Sequence, residues 1–406
     1  MIYLIILILI FYGVYRYDYR RNSDGKLLLW IVICLLMIII AGLRYRLGGD
    51  TVQYISFYKN LHGITQLSDS DFTRSRFAPG FIVFASLCKA ITDDIALLQT
   101  IVATIVNTVL FYFFWKNSKN CFFAILLYYF FLYTIFSMEL MREALTVSIF
   151  LMAWPFFRDG KWLYWYLFSL LALTIHVSAS IMLVLPFICL PFIRELFVLG
   201  KRTWFIWLGL IALAFSIYQL FFKYIEFLAI TDSMMERSQA YQKNVLGGAN
   251  FNINGIISYL IQYLLYPVGA LYCIQATKRN EGIKNHGFNK FYAFVLICSY
   301  ISLLTLFINI LGRFNNYFLP FALLIVSDWV FSKIILWHKK IKLGFVYWII
   351  IVLPLFAVHA RDHYFNDVTK SGSIKFYSLY YPYNSILDPE KDADREKAIK
   401  NLRKRY

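Results

Sequence analysis

The residues best suited to chemistry crowd into one short run. Between positions 42 and 58 the chain carries Arg44, Arg46, Asp50, Tyr45, Tyr54 and Tyr58 around the Gly48-Gly49 pair, directly after an apolar segment. Guanidinium groups match the planar, two-pronged geometry of phosphate and carboxylate, so paired arginines here suit an anion site. The plainer alternative is a boundary loop whose arginines anchor it at lipid headgroups. Asp50 is either an ion-pair partner for Arg44 or Arg46, or the group that orients a hydroxyl. Arg142 opens a second apolar run between Glu139 and Glu143. A guanidinium at bilayer depth costs several kcal/mol, so it needs a partner: a neighbouring glutamate or an anionic ligand. His176 sits in a long apolar stretch with Ser178, Ala179 and Ser180. It reads as an interhelical hydrogen-bond partner, or as a general base or sugar hydrogen-bond partner. Arg313, beside Asn315 and Asn316, reads as a snorkelling interface cation or as another phosphate ligand. Asp93 and Asp94 read as helix caps.

These groups need a scaffold, and composition says which kind. The 406-residue chain is 60% hydrophobic and 16% charged, with a mean hydropathy of +0.60, which is too apolar for a soluble protein of this length. Apolar runs recur almost throughout, predicting an all-α, polytopic membrane protein. The net charge of +17 does not indicate nucleic acid, because no basic helix with interleaved stacking aromatics occurs. The six cysteines form no Cys-x-x-Cys pair and the six histidines show no metal-ligand spacing, so neither metal nor cofactor is expected. The N-terminus lacks a basic flank and a small-residue cleavage site, and reads as a retained first span.

Apolar runs fall at about 1–15, 27–43, 78–92, 94–115, 121–137, 140–157, 162–176, 177–193, 203–222, 255–276, 291–311, 314–335 and 343–359. Nearly half of the basic residues lie in six short connections, at 16–26, 116–119, 158–161, 194–202, 278–290 and 333–342. Placing all six in the cytoplasm gives consistent parity everywhere except between 27 and 115, where one of three runs must not cross. The run 78–92 is short and opens Ala-Pro-Gly, so it is expected to be a re-entrant or half-helix. The expectation is about 12 transmembrane helices plus that half-helix, compatible with a GT-C-like membrane glycosyltransferase architecture. It forms one membrane domain, 1–359, with an extracytoplasmic tail, 360–406, belonging to it. On this assignment 44–77, 138–143, His176, Arg313 and the tail share the outer face. The charged end of the tail reads as a solvated helix, and its Tyr/Pro-rich middle as a sugar-lining or interfacial stretch.

The motifs occur in an order that resembles one family. Arg44-Tyr-Arg-Leu-Gly-Gly-Asp-Thr-Val-Gln-Tyr54 resembles the RY-x-x-G-x-D-x-x-x-Y run of the EpsG family of bacterial polysaccharide polymerases, which are related in function to the Wzy O-antigen polymerases. Phe77-Ala-Pro-Gly-Phe81 resembles its E-P-G-F segment, with Ala78 in place of Glu. Arg142-Glu-Ala-Leu, His176-Val-Ser-Ala179, Gly312-Arg313 with Tyr317-Phe318, and Tyr381-Pro-Tyr383 resemble its R-Q-x-L, H-x-S-A, G-R-x-x-x-Y-F and P-Y elements. The resemblance implies a multi-pass enzyme of the bacterial inner (cytoplasmic) membrane in O-antigen, capsule or exopolysaccharide biosynthesis. It would transfer a glycan from polyprenyl (undecaprenyl) diphosphate to a sugar hydroxyl on the outer face, where the leaving diphosphate needs charge stabilisation. Arg142 and Arg313, then Arg44 and Arg46, are assigned to the diphosphate. His176 is assigned as base with Asp50 as its rival, and Tyr54, Tyr317 and Tyr383 to the glycan. The implied partners are the lipid-linked oligosaccharide, the bilayer, and the chain-length regulator and flippase of the same pathway. A lipid-linked oligosaccharide flippase is the alternative from another class, but internal repeats and a central charged vestibule are not evident. An O-antigen ligase differs only in acceptor.

Overall fold

The structure, a computed structural model, describes residues 2–73, 75–198, 288–305, 311–338 and 374–405, with a few single positions besides. The expected runs 203–222, 255–276 and 343–359 lie outside the described residues. The described elements are helical, with only isolated bridges, Arg44 to Ser385 and Ser385 to Asp388, where extended segments pair. The chain divides into two units: Met1–Val184 with His363–Leu402, and Leu185–Asp362 with Arg403–Tyr406.

In the first unit the helices are α1 (Ile2–Gly13), α2 (Lys26–Gly42), α3 (Thr51–Asn60), α4 (Asp69–Thr73), α5 (Pro79–Lys89), α6 (Ala96–Asn117), α7 (Cys121–Phe131), α8 (Met141–Arg158), α9 (Trp162–Ile175) and α10 (Ser180–Val184). Their β-branched and aromatic residues are poor helix formers in water. In lipid the backbone has no other way to satisfy its polar groups, so such runs become helices. Two places show how tightly they pack. Gly42 lets α2 approach α6 so closely that a Cβ there would lie 2.9 Å from Thr100 Cα, and Trp30 meets Phe111 with ring centroids 4.8 Å apart. Trp165 of α9 packs on Phe157 of α8 at 4.7 Å and donates from Nε1 to the Met182 carbonyl at 2.9 Å.

The unit has two chemically different ends. At one, Lys26 lies over the Trp115 ring at 5.1 Å, and Arg21 donates to Lys119 O and Asn120 Oδ1 at 3.1 and 2.9 Å. Buried Asp18 accepts the Phe123 amide at 2.8 Å, satisfying a donor at the start of α7. At the other end Tyr129 donates to Tyr3 O and Tyr133 to Met37 O, at 2.8 and 2.7 Å, and the chain enters α8 beyond a π-helical turn, Thr134–Glu139. The basic connections 16–26 and 116–119 therefore gather at one end, and 42–58 at the other.

The run 78–92, expected to be a re-entrant or half-helix, holds the short helix α5. α5 has 11 residues, or about 16 Å of rise, roughly half a hydrocarbon core. Ala78 is extended ahead of Pro79, which occupies the first turn. Both flanks of α5 meet α3: Phe77 stacks on Tyr54 at 5.5 Å, and Thr92 O accepts from Tyr58 Oη at 2.9 Å. Both flanks of α5 therefore lie beside α3. Asp94 caps α6, its Oδ1 accepting the Ala96 amide at 2.9 Å, while Asp93 pairs with Lys89 at 2.8 Å.

In the second unit are α11 (Pro191–Arg194), α12 (Lys290–Thr305) and α13 (Gly312–His338). Phe294 packs on Phe318 and Phe321 at 5.4 and 5.1 Å. Among the described residues three helices are long and apolar enough to cross a membrane: Ile2–Tyr19, Ala96–Asn117 and Gly312–Phe331. The expectation of about 12 spans reduces to that coarser result. The run 177–193 is not one helix: Pro186 and Pro191 fall in it, and it is split into short pieces. The tail also departs from expectation. Ala393–Arg405 is a helix, α14, but Arg395, Ala398 and Ile399 on it are buried.

Candidate functional site

The end of the first unit opposite its basic connections gathers five of the six sequence motifs. Arg44 follows α2 and is 1% exposed. Its Nη1 donates to Ala41 O, whereas Nε and Nη2 are buried with no hydrogen-bond partner in the protein. Tyr133, Tyr54, Tyr383 and Tyr3 surround it, and burial lowers its pKa to about 10. Burying a guanidinium with donors unmatched is costly, so two unmatched nitrogens at one position mark a place suited to an anion.

Arg142 is half-buried on the first turn of α8. Its guanidinium lies over the Phe77 ring at 4.2 Å, and Nε donates to Tyr54 Oη at 3.4 Å. Among the described residues it makes no ion pair, so the neighbouring-glutamate alternative is not what the structure shows. Glu139 turns elsewhere: its carboxylate accepts from Tyr380 Oη and from the Gly49 amide. Gly48, at φ +90, makes that seat by bringing 48–49 against Met138 and Glu139; a Cβ at Gly48 would lie 3.0 Å from Met138 O. Burial raises the Glu139 carboxyl to about 7.

Arg46 points away from this cluster. It forms a two-pronged ion pair with Glu396 of α14, at 2.5 and 2.7 Å. Asp50 precedes α3, half-exposed, on the same loop. His176 is buried just beyond α9, with Nδ1 at 2.6 Å from Ser178 Oγ and accepting the Ser178 amide at 3.2 Å. That acceptor role puts the neutral ring's proton on Nε2. Gly80 brings α5 against this corner, for a Cβ there would lie 2.8 Å from Thr174 O. Tyr383 donates to Ile40 O at 3.0 Å, so the tail's Tyr-Pro-Tyr element also belongs here.

Arg313 and Tyr317 lie in the second unit, on the first turns of α13: Arg313 is exposed and Tyr317 fully buried. Asn315 Nδ2 donates to Ser302 Oγ at 2.7 Å. Two residues that shape the first unit's site, Tyr380 and Glu396, were not singled out from the sequence, and Glu139 was read only as a partner for Arg142. Phe77 was visible as the first residue of its motif, but the pairings of Tyr380 and Glu396 span hundreds of positions and left no local trace.

A family model, the EpsG family, matches residues 27–385, nearly the whole chain. The chain belongs to the EpsG family. Membership in the EpsG family, with the apolar helices, makes it a membrane protein with a polysaccharide-polymerase-type, glycosyltransferase-like role. No curated protein and no solved structure matches this EpsG-family chain.

Proposed function

We propose that this protein joins lipid-linked oligosaccharide repeat units at the outer face of a bacterial cytoplasmic membrane. A glycan passes from polyprenyl diphosphate to a sugar hydroxyl of a second lipid-linked chain. The acceptor oxygen bonds to the anomeric carbon, the anomeric C–O bond to diphosphate breaks, and the hydroxyl proton goes to a base. The observation that carries this reading is the buried Arg44, with two N–H groups lacking protein partners, beside Arg142 on its aromatic platform. Preorganised guanidinium groups stabilise charge as it develops on a leaving diphosphate, without reorganisation at that moment. Placing the basic connections in the cytoplasm puts this cluster outside. Tyr54 and Tyr383 are assigned to the glycan; Arg313, expected from the sequence to contact a diphosphate, lies in the second unit.

The hydrogen bonds divide the proton-handling roles. His176 has Nδ1 occupied by Ser178, so that nitrogen takes a proton only if the pair opens. Asp50 then becomes the first choice of base, and Glu139, on the same side of the Gly48-Gly49 turn, the second. The test is to delete the gene and reintroduce it in wild-type and Arg44→Lys forms. Deletion should leave single lipid-linked repeats on the outer side and no polymer, and Arg44→Lys should restore little polymer at normal protein level. Repeats trapped on the cytoplasmic side would instead indicate a flippase.

A further inference from the structure

We infer that Arg46 and Glu396 form a clasp holding the C-terminal segment over Arg44, and that Arg46 is a positioning residue and not a phosphate ligand. The inference rests on the proposed polymerase reading for its consequence, but on geometry for the clasp itself. Three observations converge. First, Arg46 spends its Nε and Nη2 on both oxygens of Glu396, the geometry in which an arginine–carboxylate pair is strongest. Its backbone lies in the left-handed region, at φ 53, uncommon for a residue with a side chain. Residues two apart in an extended segment share a face; this turn breaks that pattern, so Arg46 faces the tail while Arg44 stays buried.

Second, the two residues next to each other on α14 grip different things. Arg395, 1% exposed, donates from Nε to Ser378 O at 3.1 Å and from Nη2 to Pro382 O. It ties the helix to the 378–382 stretch, while Glu396 ties the same helix to Arg46. Third, that stretch is what lies on the Arg44 loop. Arg44 and Ser385 face each other as an antiparallel pair, flanked by Tyr45 N to Asn384 O at 2.8 Å and Ile386 N to Leu43 O at 2.9 Å. Gly48 N donates to Leu379 O at 3.0 Å, and Tyr380 donates to Glu139. The tail therefore lies directly against the Arg44 loop, and the clasp fixes it at its far edge.

The test uses the full-length protein in lipid nanodiscs, with Arg46→Gln, Glu396→Gln, the double glutamine variant, and the swap Arg46→Glu/Glu396→Arg. Amide hydrogen exchange is followed across 43–48 and 379–386, and polymer is measured in cells carrying each form. Either single change should speed exchange several-fold in both segments and lower polymer yield. The double variant should be no worse than either single, because both remove one shared interaction. The swap should recover slow exchange and polymer together.

Unchanged exchange in the single variants overturns the clasp. A swap that restores slow exchange without polymer overturns the positioning role and makes Arg46 a ligand. Fast exchange with normal polymer in the singles also overturns the positioning role, and it removes the tail from function. If the swap does not accumulate in membranes, an additive loss of polymer in the double glutamine variant overturns the proposal instead. A wild-type gene that restores no polymer would defeat the polymerase reading alone, since exchange is read on the purified protein.

Discussion

The guanidinium of Arg142 lies 4.2 Å above the centre of the Phe77 ring, joining the first turn of α8 to the residue two before α5. An aromatic face holds a cation without consuming its N–H donors, so with Nε on Tyr54 the Nη groups are left for phosphate oxygens. Such contacts are worth about 0.5–2 kcal/mol, depending on desolvation. Phe77→Leu should therefore lower polymer yield several-fold while protein level stays near normal. Arg142→Lys should lower it further, since an ammonium cannot bind two oxygens in one plane. Paired immunoblots and glycan gels from the same cells check both. Full polymer from Arg142→Lys would remove Arg142 from the site.

His176 offers a sharper contrast. His176→Ala should abolish polymer and leave protein abundance unchanged. An interhelical hydrogen bond in a membrane is worth only about 0.6 kcal/mol on average, whereas removing a proton-transfer group costs about 10²- to 10⁴-fold in rate. Ser178→Ala should give a partial loss, because it removes the hydroxyl partner but keeps the amide that fixes the ring. Normal polymer from His176→Ala would eliminate the residue from both roles.

The carboxyl of Glu139, raised to about 7 by burial, makes stability depend on pH. Its ordinary value is 4.5, so between the two the folded protein holds a proton that the unfolded chain releases. Stability linked to this group is complete below about 4.5 and is lost as pH rises through about 7. Thermal unfolding of the purified protein between pH 4.5 and 8 should show that decline, and Glu139→Gln should flatten it. Tyr380→Phe, which removes a hydrogen bond favouring the ionised form, should steepen it. An identical slope in wild type and Glu139→Gln would refute the assignment.

Gly80 tests whether α5 positions the His176 corner. A Cβ there would sit 2.8 Å from Thr174 O and closer still to the Thr174 side chain, so Gly80→Ala must push α5 away from α9. Overpacking of this kind costs roughly 1–3 kcal/mol. The expected outcome is a lower melting temperature and a loss of polymer larger than the fall in protein. Unaltered melting would show that the corner yields without strain.

Orientation is the remaining prediction. Ser68→Cys and Leu387→Cys, both at exposed positions, should react with a membrane-impermeant thiol reagent in intact cells once any outer membrane is permeabilised. Protection of both until lysis would reverse the assignment of sides.

Much of the first unit was legible because charge and apolarity act locally. The short run opening Ala-Pro-Gly was legible as a separate short helix, α5, and Pro79 with Asp94 gave its start and the following cap. The shared end of Arg44, Tyr54, Arg142 and His176 followed from counting crossings. Pairings made across the chain were not legible. Arg46 and Glu396 are 350 residues apart, and nothing local distinguishes an arginine reserved for a carboxylate from one left for a phosphate. Helix lengths were also hidden, since an apolar run such as 121–137 looks continuous while its backbone changes to a π-helical turn before Glu139.

The two unmatched nitrogens of Arg44 carry a consequence for the living cell. A fold that keeps a buried guanidinium with unmatched donors is more stable with an anion than without one, by an amount that grows with the logarithm of ligand concentration. The donor lipid would then act as a folding ligand as well as a reactant. If the proposed lipid-linked donor is that anion, cells starved of it should hold less of this protein at equal transcript, so abundance would follow the supply of the protein's own feedstock.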